Sequence, residues 1–160
     1  MNRAKMVAAA QWFLRLALAA GFLSAVADRF GVWGPPGAPH VAWGAWQPFV
    51  AYVAKLNWFA PEPAIPALAW AATLGEFLVA LGLLIGWQLQ WMALAGSLLL
   101  LSFAVTMTMA LGIKAPLDCS VFAATAGALL LAAISGESAP GSERANRRSG
   151  QTVEHRHAPD

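Results

Sequence analysis

Residues 69–86 read AWAATLGEFLVALGLLIG, an almost unbroken apolar run with one acid, Glu76, close to its centre. A run of this length is close to the ~20 residues that cross ~30 Å of hydrocarbon as a helix. An ionisable group deep in such a span costs a few kcal/mol on translocon-derived scales, so it usually faces protein rather than lipid. The reading of this one stretch therefore sets two expectations: a membrane helix, and a polar partner for Glu76 inside the protein.

Three further windows have the same character, so the spans are expected at about 7–27, 66–87, 91–112 and 115–134. Of the 160 residues, 59% are hydrophobic and 11% are charged, against about 25% charged in a soluble domain. A soluble bundle would need polar outer faces, and Leu98–Leu101 and Ala126–Ile134 supply none. The fold expected is an all-α integral membrane bundle of four transmembrane helices, occupying residues 1–135, with a polar basic tail over 136–160. That tail lacks any apolar period and reads as disordered.

Between the first two spans, GVWGPPGAPHVAWG breaks regular structure. PFVAYVAKLNWF then reads as a short helix with Phe49, Val53 and Leu56 on one face. Its length and flanking Trp46 and Trp58 suit an interfacial segment or a cap over the bundle. The WQLQW link forces spans two and three into an antiparallel hairpin. Arg3 and Lys5 at one end and Arg144, Arg147, Arg148 and Arg156 at the other place both termini on the cytoplasmic side of the inner membrane, by the positive-inside rule. Trp12, Trp87 and Trp91 fall at the cytoplasmic interface on this topology, and Trp33, Trp43, Trp46, Trp58 and Trp70 at the outer one. Basic tails beside a membrane meet anionic lipid, so the bilayer rather than nucleic acid is the expected partner. Ala25-Val26-Ala27 has the form of a cleavage site, but Gln11 and Arg15 interrupt the apolar core before it, so the first helix is expected to be retained.

The polar residues within the spans are few. Depth counted from the cytoplasmic ends places Arg15 within reach of Glu76, with Gln11 on the same face as Arg15. Ser102, Thr106 and Met109 follow helical spacing in the third span and are expected to face the same interior. Asp118 falls in the first turn of the fourth span, where an acid complements the helix N-terminus. The candidate polar network is thus Gln11, Arg15, Glu76, Ser102, Thr106 and Asp118. It is either a structural fastener or part of a site that handles protons or a polar ligand. Gly75, Gly82 and Gly86 form a ridge on which a second copy can pack, making a homo-oligomer one expectation. Cys119, the sole cysteine, excludes a dithiol relay within the chain and reads as a small buried residue. Asp28, Arg29, His40 and Lys55 read as solvated groups at the outer mouth. His155 and His157 are too few for a firm metal site, and none is expected. There is no GxGxxG, P-loop or HExxH, so no reaction is named by the residues alone.

RLALAAGFLSAVADRFGVWG (15–34), TLGEFLVALGLLIG (73–86) and IKAPLDCSVFAATAGALLLA (113–132) together resemble the DoxX family of small four-span bacterial membrane proteins. The resemblance covers roughly residues 10–135 and puts Arg15 and Glu76 at that family's characteristic arginine and glutamate. Cys119 stands where the family pattern has an aromatic residue. The resemblance implies a membrane subunit supporting quinone-linked redox chemistry, of the thiosulfate:quinone oxidoreductase kind, with a redox-enzyme partner and quinone as the implied cofactor. The alternatives are a carrier or channel for a small solute or protons, and a scaffold without chemistry.

Overall fold

The computed structural model describes residues 2–136; the expectations for the basic tail, with His155 and His157, lie outside the described residues. Within them the chain is helical, with no strand. Helix α1 spans Arg3–Arg29, α2 Trp46–Leu56, α3 Ile65–Ile85, α4 Leu89–Leu111, α5 Lys114–Asp118 and α6 Val121–Gly136. Three of these, α1, α3 (with the 3₁₀ turn at 62–64 before it) and α4, are long and apolar enough to cross a membrane. The fourth apolar helix, α6, is shorter at 16 residues, about 24 Å of helix.

The fourth window was expected as one helix over 115–134 and is instead broken. Ser120 adopts a positive φ of 55°, which interrupts the hydrogen-bonding of an α-helix and divides α5 from α6. Asp118 consequently sits at the end of a short exposed helix, paired with Lys114 one turn earlier. The expected role at a helix N-terminus does not arise.

The spans pack through small residues and let large ones face outward, as lipid requires. Ala19, Ala80, Leu83, Ala93 and Leu131 are fully buried where α1, α3, α4 and α6 meet. Phe13, Leu78, Ile85, Leu98 and Leu130 point away from the protein. The α3–α4 hairpin has a register set by glycine. A Cβ on Gly82 would collide with Met92, one on Gly75 would come 2.9 Å from Leu99, and one on Gly96 3.0 Å from Val79. Positions descending along α3 thus meet positions ascending along α4. The glycine ridge expected to receive a second copy is occupied inside the chain instead.

Helix α1 ends in a Schellman motif: Val32 N–H donates to the Ala27 carbonyl at 3.1 Å and Gly31 N–H to that of Asp28 at 3.1 Å, with Gly31 left-handed at φ 73°. The following loop folds tightly back on itself. Gly44, at φ 67°, passes so close to Pro35 and Pro36 that a Cβ there would lie 2.5 Å from the Pro36 nitrogen. Asp28 fixes the loop's far end by accepting the Trp43 backbone N–H at 2.7 Å. Helix α2 then lies as a cap against α3 and α4, with Phe49, Val53 and Leu56 buried as their spacing predicted. Trp46 closes the joint, its ring 4.4 Å from that of Trp70 on α3.

Gly86 ends α3 in the left-handed conformation, φ 79°, and a Cβ there would come 2.8 Å from the Arg15 guanidinium. Gly86→Val is expected to destabilise the protein by at least the ~1–2 kcal/mol of a left-handed β-carbon, because it also displaces Arg15. Gly21→Ala, with nothing within 4 Å of the added methyl, is expected to be neutral or stabilising. Thermal unfolding of both variants in detergent checks the contrast.

Candidate functional site: a buried ion pair beneath an aromatic cap

Glu76 is 1% exposed, as its place in the span requires, but its partner is Arg29 rather than Arg15. The Arg29 Nη2 donates to Glu76 Oε1 at 2.5 Å, and Nη1 donates to the Thr73 hydroxyl at 2.7 Å. The Thr73 hydroxyl in turn donates to the Ala69 carbonyl at 2.8 Å. Arg29, expected to be solvated, is 2% exposed, and Asp28 beside it 5%. His40 and Lys55 are exposed as expected.

Arg15 is buried at another level. Its Nε donates to the Leu83 carbonyl at 2.9 Å and Nη2 to the Leu84 carbonyl at 3.2 Å. A cation there answers both the unpaired carbonyls that end α3 and the negative end of its dipole. The Trp12 ring lies 4.0 Å from the guanidinium carbon. Leu83 is seven residues beyond Glu76, about 10 Å along the helix, which puts Glu76 out of Arg15's reach. The depth count failed because it set the cytoplasmic ends of α1 and α3 level, whereas Arg15, twelve residues into a helix that starts at Arg3, meets the last turn of α3. Gln11 lies at the same end as Arg15, bonded to Ser135 Oγ at 3.1 Å.

What holds Arg29 inside is aromatic. Its guanidinium carbon stands 3.9 Å from the centre of the Phe49 ring and 5.5 Å from that of Trp43, both brought over it by α2 and the loop. Cation–π contacts of this kind strengthen when water is excluded. The signal for Arg29 lay in the axial register rather than in the sequence. Antiparallel helices that align Arg15 with Leu83 bring the end of α1 to the start of α3, one long side chain above Glu76.

The pair lines a cavity of about 1190 Å³ bounded by α1, α3, α4, α6 and the cap α2. Its walls are mainly apolar, with Ala17, Gly21 and Ala25 on one face of α1 and Leu68 and Ala72 on α3. Ser102 and Thr106 also line it, but both hydroxyls donate to carbonyls of their own helix. Met109 faces outward. Tyr52 of α2 and Cys119 stand at the cavity too, and Cys119 is exposed rather than buried. Burial, with a smaller contribution from Cys119, pushes the Tyr52 phenol above its ordinary value of 10.0, so at neutral pH it is a donor. The ion pair leaves three polar atoms without a partner: Glu76 Oε2, Arg29 Nε and Asp28 Oδ1.

Residues 6–136 match the family described as methylamine utilisation protein MauE. The chain belongs to the MauE family. This is a family of small membrane proteins related to, but distinct from, the DoxX family that the helix motifs resembled; short apolar motifs are shared too widely among small helical bundles to separate the two. No curated protein and no solved structure matches the chain. MauE membership, with several apolar helices, makes it a multi-pass membrane protein.

Removing one partner of a buried ion pair leaves an uncompensated charge and costs about 3–5 kcal/mol, whereas replacing both by apolar groups is often neutral. Arg29→Met is therefore expected to lower the unfolding temperature in detergent sharply, and Arg29→Met with Glu76→Met to recover most of the loss. Arg15→Met is expected to destabilise independently of both, since its contacts lie at the other end of α3.

Proposed function

We propose that this MauE-family chain is an accessory subunit of a membrane redox system, working through the cavity at the Arg29–Glu76 pair. In this reading it crosses the bacterial cytoplasmic membrane four times, with α5 and α6 together completing the fourth crossing and both termini cytoplasmic. The cavity then lies in the outer half, beneath α2. The observation that carries the proposal is the buried pair itself: a charged cluster facing a large apolar cavity, with hydrogen-bonding capacity left open on both members. Intramembrane charges at cavities mark ligand or proton sites more often than they mark plain structure.

The family's description, methylamine utilisation, supports a redox setting, because drawing on an amine as a nutrient is oxidative chemistry. A membrane-soluble quinone suits a cavity with apolar walls and a charged end. Glu76 would then take up or release the protons that accompany quinone turnover, with Arg29 holding the quinone oxygen. One cysteine and no CxxC leave no dithiol relay in the chain, so electrons would come from a partner protein.

The test is a mild-detergent pull-down of tagged protein from native membranes, with mass spectrometry of bound proteins and lipids. A redox enzyme and enriched quinone are expected; neither appearing overturns the redox reading. In the recovered complex, Glu76→Gln is expected to reduce quinone turnover at least tenfold, and full turnover in that variant would remove Glu76 from proton handling.

A further inference from the structure

The open hydrogen-bonding capacity of the ion pair has a specific form. Arg29 uses Nη2 on Glu76 Oε1 and Nη1 on Thr73, while Nε and Glu76 Oε2 have no partner. In a guanidinium, Nε–H and one Nη2–H point from the same edge, the edge on which a carboxylate ordinarily sits with both oxygens. Here only one of those two bonds is made. A donor and an acceptor are thus left without partners, each with almost no accessible surface, on residues that line the cavity, so a bridging group reaches them only as the two side chains part.

Few chemical groups satisfy both at once. A carboxylate or phosphate head would meet Arg29 but oppose Glu76. An ammonium head would meet Glu76 but oppose Arg29. A ketone or ether accepts from Nε and leaves Oε2 unsatisfied. A hydroxyl does both, donating to the carboxylate oxygen while accepting from Nε–H. The cavity behind the pair is shaped for a long apolar body. Ala17, Gly21 and Ala25 recur every fourth residue along α1, and the space at Gly21 is open, with nothing within 4 Å of a Cβ.

We propose that the cavity takes up from the bilayer an amphiphile ending in a single hydroxyl, a long-chain phenol or alcohol, whose hydroxyl bridges Arg29 Nε and Glu76 Oε2. This rests on the cavity being a ligand site but not on any redox partner. The dihydroxy form of a quinone can offer one of its two hydroxyls in the same way; its oxidised form, which has no hydroxyl to donate at the head, cannot.

The decisive comparison uses 4-dodecylphenol and its methyl ether, 4-dodecylanisole, which share ring and chain and differ in that a methyl replaces the hydroxyl proton. Binding to the protein in phosphatidylcholine nanodiscs is followed by tryptophan fluorescence, with concentrations expressed per lipid. The phenol is expected to bind about tenfold more tightly, the size expected when a buried acceptor is otherwise left unpaired. Gly21→Leu, which fills the cavity wall without touching the pair, is expected to weaken both ligands. Glu76→Gln is expected to narrow the difference between them; if that variant does not fold, the two ligands on the unaltered protein still decide. Equal affinity for phenol and ether, no binding of either, or phenol binding unchanged by Gly21→Leu would each overturn the proposal. Equal affinity leaves the redox-subunit reading standing. A pull-down without redox enzyme or quinone leaves this one standing.

Discussion

Everything at the cavity end of the molecule depends on keeping a guanidinium and a carboxylate in a place without water. Arg29 can stay there because four things meet around it: the Glu76 carboxylate, the Thr73 hydroxyl, and the faces of Phe49 and Trp43. They arrive on three separate pieces of chain. Glu76 and Thr73 come from α3, Phe49 from α2, and Trp43 from the loop that Asp28 ties back to the end of α1. The ion pair thus couples the cap to the spans, and the cap in turn shuts the pair away from solvent.

Arg15 does a different job at the other end. By filling the carbonyl end of α3 it lets that helix stop at Gly86 without leaving polar groups bare in an apolar surrounding. The two arginines lie fourteen residues apart on α1, about 21 Å along the axis, and both reach across to α3. One engages its end and one its middle. Together they fix the height of α1 against α3, which apolar contacts between alanines and leucines specify only loosely. Arg15 is fully engaged by backbone, while Arg29 and Glu76 keep an unused donor and acceptor. That difference sets the Arg29–Glu76 pair apart from Arg15.

The cavity follows from the same small residues that let the helices approach. Glycine and alanine bring α3 and α4 into contact where Met92 and Leu99 fill the gap. Along α1, Gly21 and its neighbours Ala17 and Ala25 meet no such filler, and the space stays open. Helix α2 covers that space from above. An apolar cavity roofed by an amphipathic helix and ended by a charge pair is suited to a molecule that arrives from the bilayer.

The apolar windows, the α3–α4 hairpin, the buried face of α2 and the inward position of Glu76 were legible in the sequence, because each depends on local periodicity or on the cost of charge in hydrocarbon. The helix motifs pointed to the DoxX family where the chain belongs to MauE, and only the coarser level, a small helical membrane protein, held, since those motifs are mostly apolar. The partner of Glu76 was not legible. Which arginine reaches it depends on how far α1 slides along α3, and sequence spacing does not fix that offset. Nor did Asp28 and Arg29 look buried, because a polar pair after an apolar run normally marks water; here a glycine- and proline-built loop folds aromatic rings over it. The break at Ser120 was missed although Asp118, Cys119, Ser120 and Val121 are weak helix formers, because the apolar window runs through it. Composition and periodicity determined which helices form and which faces avoid water; only the tertiary structure decided which charges meet, because that rests on axial registers set by contacts between residues far apart in the chain.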